Sequence, residues 1–226
     1  MWLVGDSHAE QWKNAVYELA RQNKWKLKES LLGGCPFVDA KRVAFMGEPS
    51  TEPLIQSRCL TWGNEVTARI AKEQPDMVFV STFGAGETID DGTGRTQALQ
   101  YQDAVTKRFG SWTASGANVY VVRDTPLTLR HSTPECVALH ADQPAMCANS
   151  RADALPSDPV ADTAKGLQDT RVKVLDLSDQ FCTSDTCHAV IGGINVYYDT
   201  DHASRSYIQS MVPVLVQRFD EARRGL

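Results

Sequence analysis

No stretch of this 226-residue chain reaches the roughly 18 consecutive apolar residues that a membrane-spanning helix requires. A basic stripe is missing too. The 23 Lys and Arg are outnumbered by 28 Asp and Glu, giving a formal net charge of −5 and a pI near 5.5. Nucleic-acid phosphates are met by clustered Lys and Arg, so no nucleic-acid partner is predicted. Only Lys24, Lys26 and Lys28 cluster, and their alternation reads as one solvated face of a strand. Internal repeats and low-complexity tracts are absent, and 42% hydrophobic with 23% charged side chains excludes disorder as the main state. No C-x-x-C occurs, which argues against zinc and thioredoxin-like redox sites; no metal and no cofactor are predicted. The opening Met1-Trp2-Leu3-Val4-Gly5 has no basic n-region, apolar h-region or cleavage site, so no export signal is expected in this stretch.

Six cysteines are present, and they fall into three neighbouring pairs: Cys35 with Cys59, Cys136 with Cys147, and Cys182 with Cys187. Of 15 possible pairings this one staples three loop-rich stretches, and disulfides imply an oxidising compartment. Disulfides without an export signal point to a domain excised from a longer exported or membrane-anchored protein.

Trp2-Leu3-Val4 is a short apolar run closed by Gly5-Asp6-Ser7, and Trp12, Val16, Leu19 and Ala20 then recur at helical spacing. The strand, turn, helix unit repeats. Trp25 to Leu32, Met77-Val78-Phe79-Val80, Val119-Tyr120-Val121-Val122 and Val172 to Leu177 read as strands, with Pro75 punctuating the step into the second of these. Leu60 to Ile70 and Tyr101 to Trp112 read as helices, and a last helix is predicted from about Ser204 to Arg223. Apolar strands separated by amphipathic helices predict an α/β fold, a three-layer doubly wound sandwich with a mostly parallel central sheet. One domain over 1–226 is expected, with 125–169 a long loop-rich excursion holding one short helix, and the isolated domain is expected to be a monomer. The ligand crevice of such a sheet lies beyond the carboxyl ends of its strands.

Gly5-Asp6-Ser7-His8 falls at that edge, where a Ser hydroxyl would face the crevice and N–H groups of a helix start could hold an oxyanion. A serine needs a His base oriented by a carboxylate. Asp199-Thr200-Asp201-His202, in a loop before the last helix, offers one, with Asp199 able to fold back onto the imidazole and Asp201 competing. Alone, Ser7 is also what a helix N-cap looks like, and His202 what a structural histidine looks like. Arg123-Asp124-Thr125-Pro126 closes a strand at the same edge and reads either as substrate-binding or as a capped turn. His131, His140 and His188 show no partner pattern, and no role is assigned to them.

The G-D-S start and D-x-x-H finish resemble the SGNH or GDSL hydrolase superfamily. Val4 to Trp12, Gly34-Cys35-Pro36, Cys59, Arg123 to Pro126, Cys182 to Cys187 and Tyr197 to Ser204 more closely resemble the SGNH domain fused to membrane acyltransferase-3 proteins. The resemblance implies a triad of Ser7, His202 and Asp199, with Asp199 favoured by its place three residues before the histidine. It implies an oxyanion hole of Ser7, Gly34 and, in place of the missing G-x-N-D asparagine, Gly84; Gly116-Ala117-Asn118 precedes a strand and lies at the wrong end. Asp6, His8, Arg123 and Asp124 are expected on the substrate side. The implied activity is serine-dependent O-acyl transfer, usually O-acetyl, to an envelope carbohydrate or glycolipid, from a donor supplied by a fused membrane acyltransferase domain. An O-acetylesterase with the same triad and a catalytically weak glycan-binding module are the alternatives. The implied location is extracytoplasmic, periplasm or cell surface, tethered through a missing N-terminal domain.

Overall fold

A computed structural model describes residues 1–50, 52–129 and 132–225; His131 lies outside them. The chain divides into two compact units interleaved in sequence: Met1–Glu10, Lys24–Asp124 and Ser157–Leu175 form the first, and the remaining three segments form the second. No helix among the described residues is long and apolar enough to cross a membrane.

The first unit is an α/β body. Its sheet has five parallel strands in the spatial order Lys28–Leu31, Trp2–Gly5, Met77–Ser81, Asn118–Val122, Val172–Leu175. Numbered along the chain, that is 2-1-3-4-5, a doubly wound order in which the crossovers reverse beside the first strand. The expected parallel α/β class is therefore found. Helices Pro53–Glu73, Gln97–Ala114 and Pro159–Gly166 belong to this unit. Trp2, Val4, Val78, Val80, Val119 and Val121, alternate residues of three strands, enter one core cluster with Val66, Ile70, Val105, Phe109, Trp112 and Val160 from those helices. A three-stranded antiparallel sheet, order Glu48–Pro49, Lys41–Phe45, Glu87–Asp90, was not expected from sequence. Of the clustered lysines only Lys28 lies in a strand; its amine pairs with Glu73 at 2.5 Å.

The second unit is built on helices Lys13–Gln22, Arg205–Ser210 and Val212–Arg224, which lie against one another and bury Val16, Leu19, Ile208, Leu215 and Phe219. The single last helix expected from Ser204 to Arg223 is broken at Met211. Pro213 supplies no N–H to continue the ladder, and its ring disfavours helical backbone before it. The first helix is likewise two pieces, Ser7–Glu10 and Lys13–Gln22. The 125–169 excursion is more ordered than expected: Pro134–Leu139, Arg151–Ala154 and Pro159–Gly166 are helical, each capped by the residue before it, Thr133, Ser150 and Asp158. All three predicted disulfides form, and no free cysteine occurs among the described residues.

Candidate active site

In the first unit the chain leaves the Trp2–Gly5 strand at the topological switch point, next to the end of Met77–Ser81. Only glycine fits at position 5. Its φ is 147°, and a Cβ there would meet the Ser81 carbonyl oxygen at 2.0 Å and the Ala9 Cβ at 2.6 Å. Asp6 follows, 1% exposed, and its carboxylate is fully engaged: Oδ1 accepts from the His8 N–H at 2.8 Å, while Oδ2 accepts from the Thr82 hydroxyl at 2.6 Å and the Phe83 N–H at 2.8 Å. Burial pushes the Asp6 carboxyl up from its ordinary range, against the pull of His8, Thr82 and Phe83. Ser7, partly exposed, opens a one-turn helix whose Ala9 and Glu10 N–H groups donate back to the Asp6 carbonyl. The helix that Ser7 opens is therefore a single turn.

Asp6 and His8, expected on the substrate side, are both buried beneath the turn. His8 is 1% exposed, its ring lies flat on Phe83 with centroids 4.3 Å apart, and its Nδ1 is 2.7 Å from Asp124 Oδ1. The Asp124 side chain is itself 9% exposed. The Asp124 N–H donates to Asp158 Oδ2 at 2.9 Å, and Asp158 Oδ1 accepts from the Val160 and Ala161 N–H groups. Burial raises Asp158 to about 6. Arg123 remains partly exposed, its N–H held by the Leu175 carbonyl.

Gly34 sits in a loop with φ 64°, its carbonyl taken by the Arg42 guanidinium and its neighbour Cys35 locked to Cys59 on the Pro53–Glu73 helix. Gly84 is buried at the start of a short 3₁₀ turn, where a Cβ would meet Pro159 Cγ at 3.0 Å. The N–H just before Gly84, that of Phe83, is already held by Asp6.

The second unit builds the histidine. A tight turn closes with the Tyr198 N–H on the His202 carbonyl at 3.1 Å, flanked by a Tyr197 to Ala203 bridge. Asp199 organises it: Oδ1 accepts from the Asp201 and His202 N–H groups at 3.0 and 2.7 Å, and Oδ2 is 2.8 Å from His202 Nδ1. Asp201 Oδ1 is 3.1 Å from the same nitrogen. Asp199 thus holds both the backbone and the ring, and fixes Nδ1 as the carboxylate-facing nitrogen, leaving Nε2 on the far side. Two further supports were not foreseen. The Thr128 hydroxyl donates to the Thr200 carbonyl, and Gln11 Oε1 accepts from the Ala203 N–H at 2.7 Å. These partners lie 72 and 192 residues apart, beyond any local pattern. The Cys182–Cys187 loop pairs with Asn149–Ser150, and the chain then runs through a hairpin into the histidine turn.

A family model for the SGNH domain fused to AT3 domains matches residues 1–217. No curated protein matches the sequence. Among solved structures, the periplasmic domain of a lipopolysaccharide acetyltransferase from Salmonella ser. Paratyphi A is similar, with TM-score 0.66 and 13% identity over 97% of this chain and 81% of that one. A carbohydrate esterase family 2 enzyme with a carbohydrate-binding domain, from Corynascus thermopiles (Myceliophthora fergusii), has TM-score 0.56 and 14% identity over 98% of this chain and 65% of that one.

Proposed function

The chain belongs to the family of SGNH domains fused to AT3 domains, and from that membership we propose that it is a serine-dependent O-acyltransferase domain acting on an envelope carbohydrate. One observation carries the chemistry: a histidine whose Nδ1 faces a carboxylate that is itself held by two backbone N–H groups. This is the orienting arrangement a general base requires.

In this reading Ser7 Oγ attacks the acyl carbonyl of a donor ester while His202 Nε2 takes the hydroxyl proton. The Ser7 and Gly34 N–H groups hold the oxyanion, the donor's ester bond breaks, and the leaving alcohol departs with the proton from His202. A sugar hydroxyl then attacks the acyl-serine, giving its proton to His202. Collapse forms the sugar ester and returns the proton to Ser7. Water in place of the sugar gives hydrolysis with the same residues, and the likeness to a carbohydrate esterase favours this as the second reading. The donor would be supplied by a fused membrane acyltransferase domain. Three disulfides support an extracytoplasmic location.

The test is intact-mass analysis after a phosphonofluoridate serine probe, on the parent, Ser7→Ala and His202→Ala. One adduct on Ser7, absent from both variants and insensitive to chelator, is expected. A folded parent that takes up no adduct would overturn the reading and leave a glycan-binding module. Product analysis with an aryl acetate, with and without a sugar acceptor, then separates transfer from hydrolysis.

A further inference from the structure

One residue of the histidine turn has no part in the triad. This chain hides its rings: Trp2, Trp12, Trp112, Phe79, Phe109 and Phe219 are all at most 2% exposed. Among the described residues only two aromatic side chains are largely exposed, Tyr17 at 55% and Tyr198 at 63%. Tyr17 lies on the Lys13–Gln22 helix. Tyr198 lies against His202, ring centroids 5.7 Å apart and planes 30° apart. Its backbone is fixed by the bond to the His202 carbonyl, and its neighbour Tyr197 is 2% exposed and bridged to Ala203. The ring is thus held at the imidazole by a rigid turn while most of its surface faces solvent.

We propose that Tyr198 is the platform of an acceptor subsite that takes an uncharged pyranose; this rests on His202 being the base of the reaction. The C–H face of a pyranose is apolar and its hydrogens carry slight positive charge, which suits the electron-rich face of an aromatic ring. A tyrosine loses little conformational freedom on contact, having few rotatable bonds. The sugar's hydroxyls project from its rim and need acceptors, and the turn supplies the partly exposed carboxylates of Asp199 and Asp201. Those two carboxylates also set the charge preference. Beside them a uronate or phosphate on the sugar meets repulsion, whereas a neutral hexose meets hydrogen-bond acceptors.

Binding can be read apart from chemistry in the Ser7→Ala protein, by saturation-transfer NMR with methyl β-D-glucopyranoside and with the corresponding methyl glucuronide. The neutral glycoside is expected to bind with saturation focused on its C–H face, and the glucuronide about tenfold more weakly. Tyr198→Ala on this background should weaken the neutral glycoside about tenfold, and Tyr198→Phe should restore it, since the ring and not the hydroxyl is required. Circular dichroism checks that both variants fold. Equal binding of the two sugars, or binding indifferent to Tyr198→Ala, would overturn the proposal. If Ser7 takes no probe yet the Tyr198-dependent binding persists, the catalytic reading falls and Tyr198 is a sugar-binding platform with no acceptor role. If Ser7 labels and no such binding occurs, the reverse holds.

Discussion

Asp6 shows how a motif residue can brace the chain around a candidate site. Its carboxylate accepts three hydrogen bonds, from His8, Thr82 and Phe83, and so ties the turn after the first strand to the end of its neighbour. Behind it His8 and Asp124 form a second buried imidazole–carboxylate pair, and Asp158 holds Asp124 in turn. The sequence places these residues at the sheet's carboxyl edge, but not which of them face inward; that depends on Phe83, which covers His8, and on contacts across more than a hundred residues. In the histidine turn two carboxylates compete for Nδ1, at 2.8 and 3.1 Å. Asp199 also holds two backbone N–H groups, so the two should separate under substitution. Asp199→Asn presents an amide N–H to the ring or loses the backbone bonds, and turnover of an aryl acetate should fall about 10³–10⁴-fold. Asp201→Asn should reduce it by about tenfold or less. Matched kcat/KM measurements on the two variants check this, and equal losses would reassign the triad carboxylate.

The Gly34 loop is held at both ends, by the Arg42 guanidinium on its carbonyl and by the 24-residue span closed between Cys35 and Cys59. Loop-closure entropy grows with span, so replacing this pair with serines should lower unfolding free energy by about 3 kcal/mol, against about 2 for Cys182–Cys187, whose span is 5. Urea unfolding of the two double variants measures the difference. The three central strands of the parallel sheet were legible because each carries a short apolar run buried on both faces, Trp2-Leu3-Val4, Val78-Phe79-Val80 and Val119-Tyr120-Val121. The antiparallel sheet was not, since its hairpin turns on Met46-Gly47, with φ 51° and 83°; methionine is an unusual first residue for such a turn and gives no Asn-Gly signal. The excursion helices were hidden by their brevity. Their capping signals, Thr133-Pro134 and Asp158-Pro159, stand in the sequence, while apolar periodicity over six or eight residues is too short to see. The break at Met211 follows from Pro213, which the one-faced apolar pattern through Phe219 obscures.

At the scale of the whole molecule, buried carboxyls set the response to pH. Asp6, Asp158 and Glu87 are all raised, burial being the largest cause for each. A carboxyl raised on folding favours the folded state while protonated; that contribution is complete below its unfolded value near 4 and is lost as pH climbs through the folded value, about 6 for Asp158. Glu73 and Asp91, lowered chiefly by hydrogen bonds from Lys28 and Thr93, act the other way, but as exposed groups they count for little. The urea midpoint should therefore decline between about pH 4 and pH 6, and Asp158→Asn should flatten the decline; a midpoint rising over that interval would contradict the assignment. Finally, the chain crosses between its two units five times. The parallel sheet lacks its last strand until Leu175, and the second unit its final helix until Arg224. During synthesis, then, no early segment can mature alone. The Cys35–Cys59 staple can close well before either unit is complete, so a chain cut short before Leu175 should leave both units open to proteases.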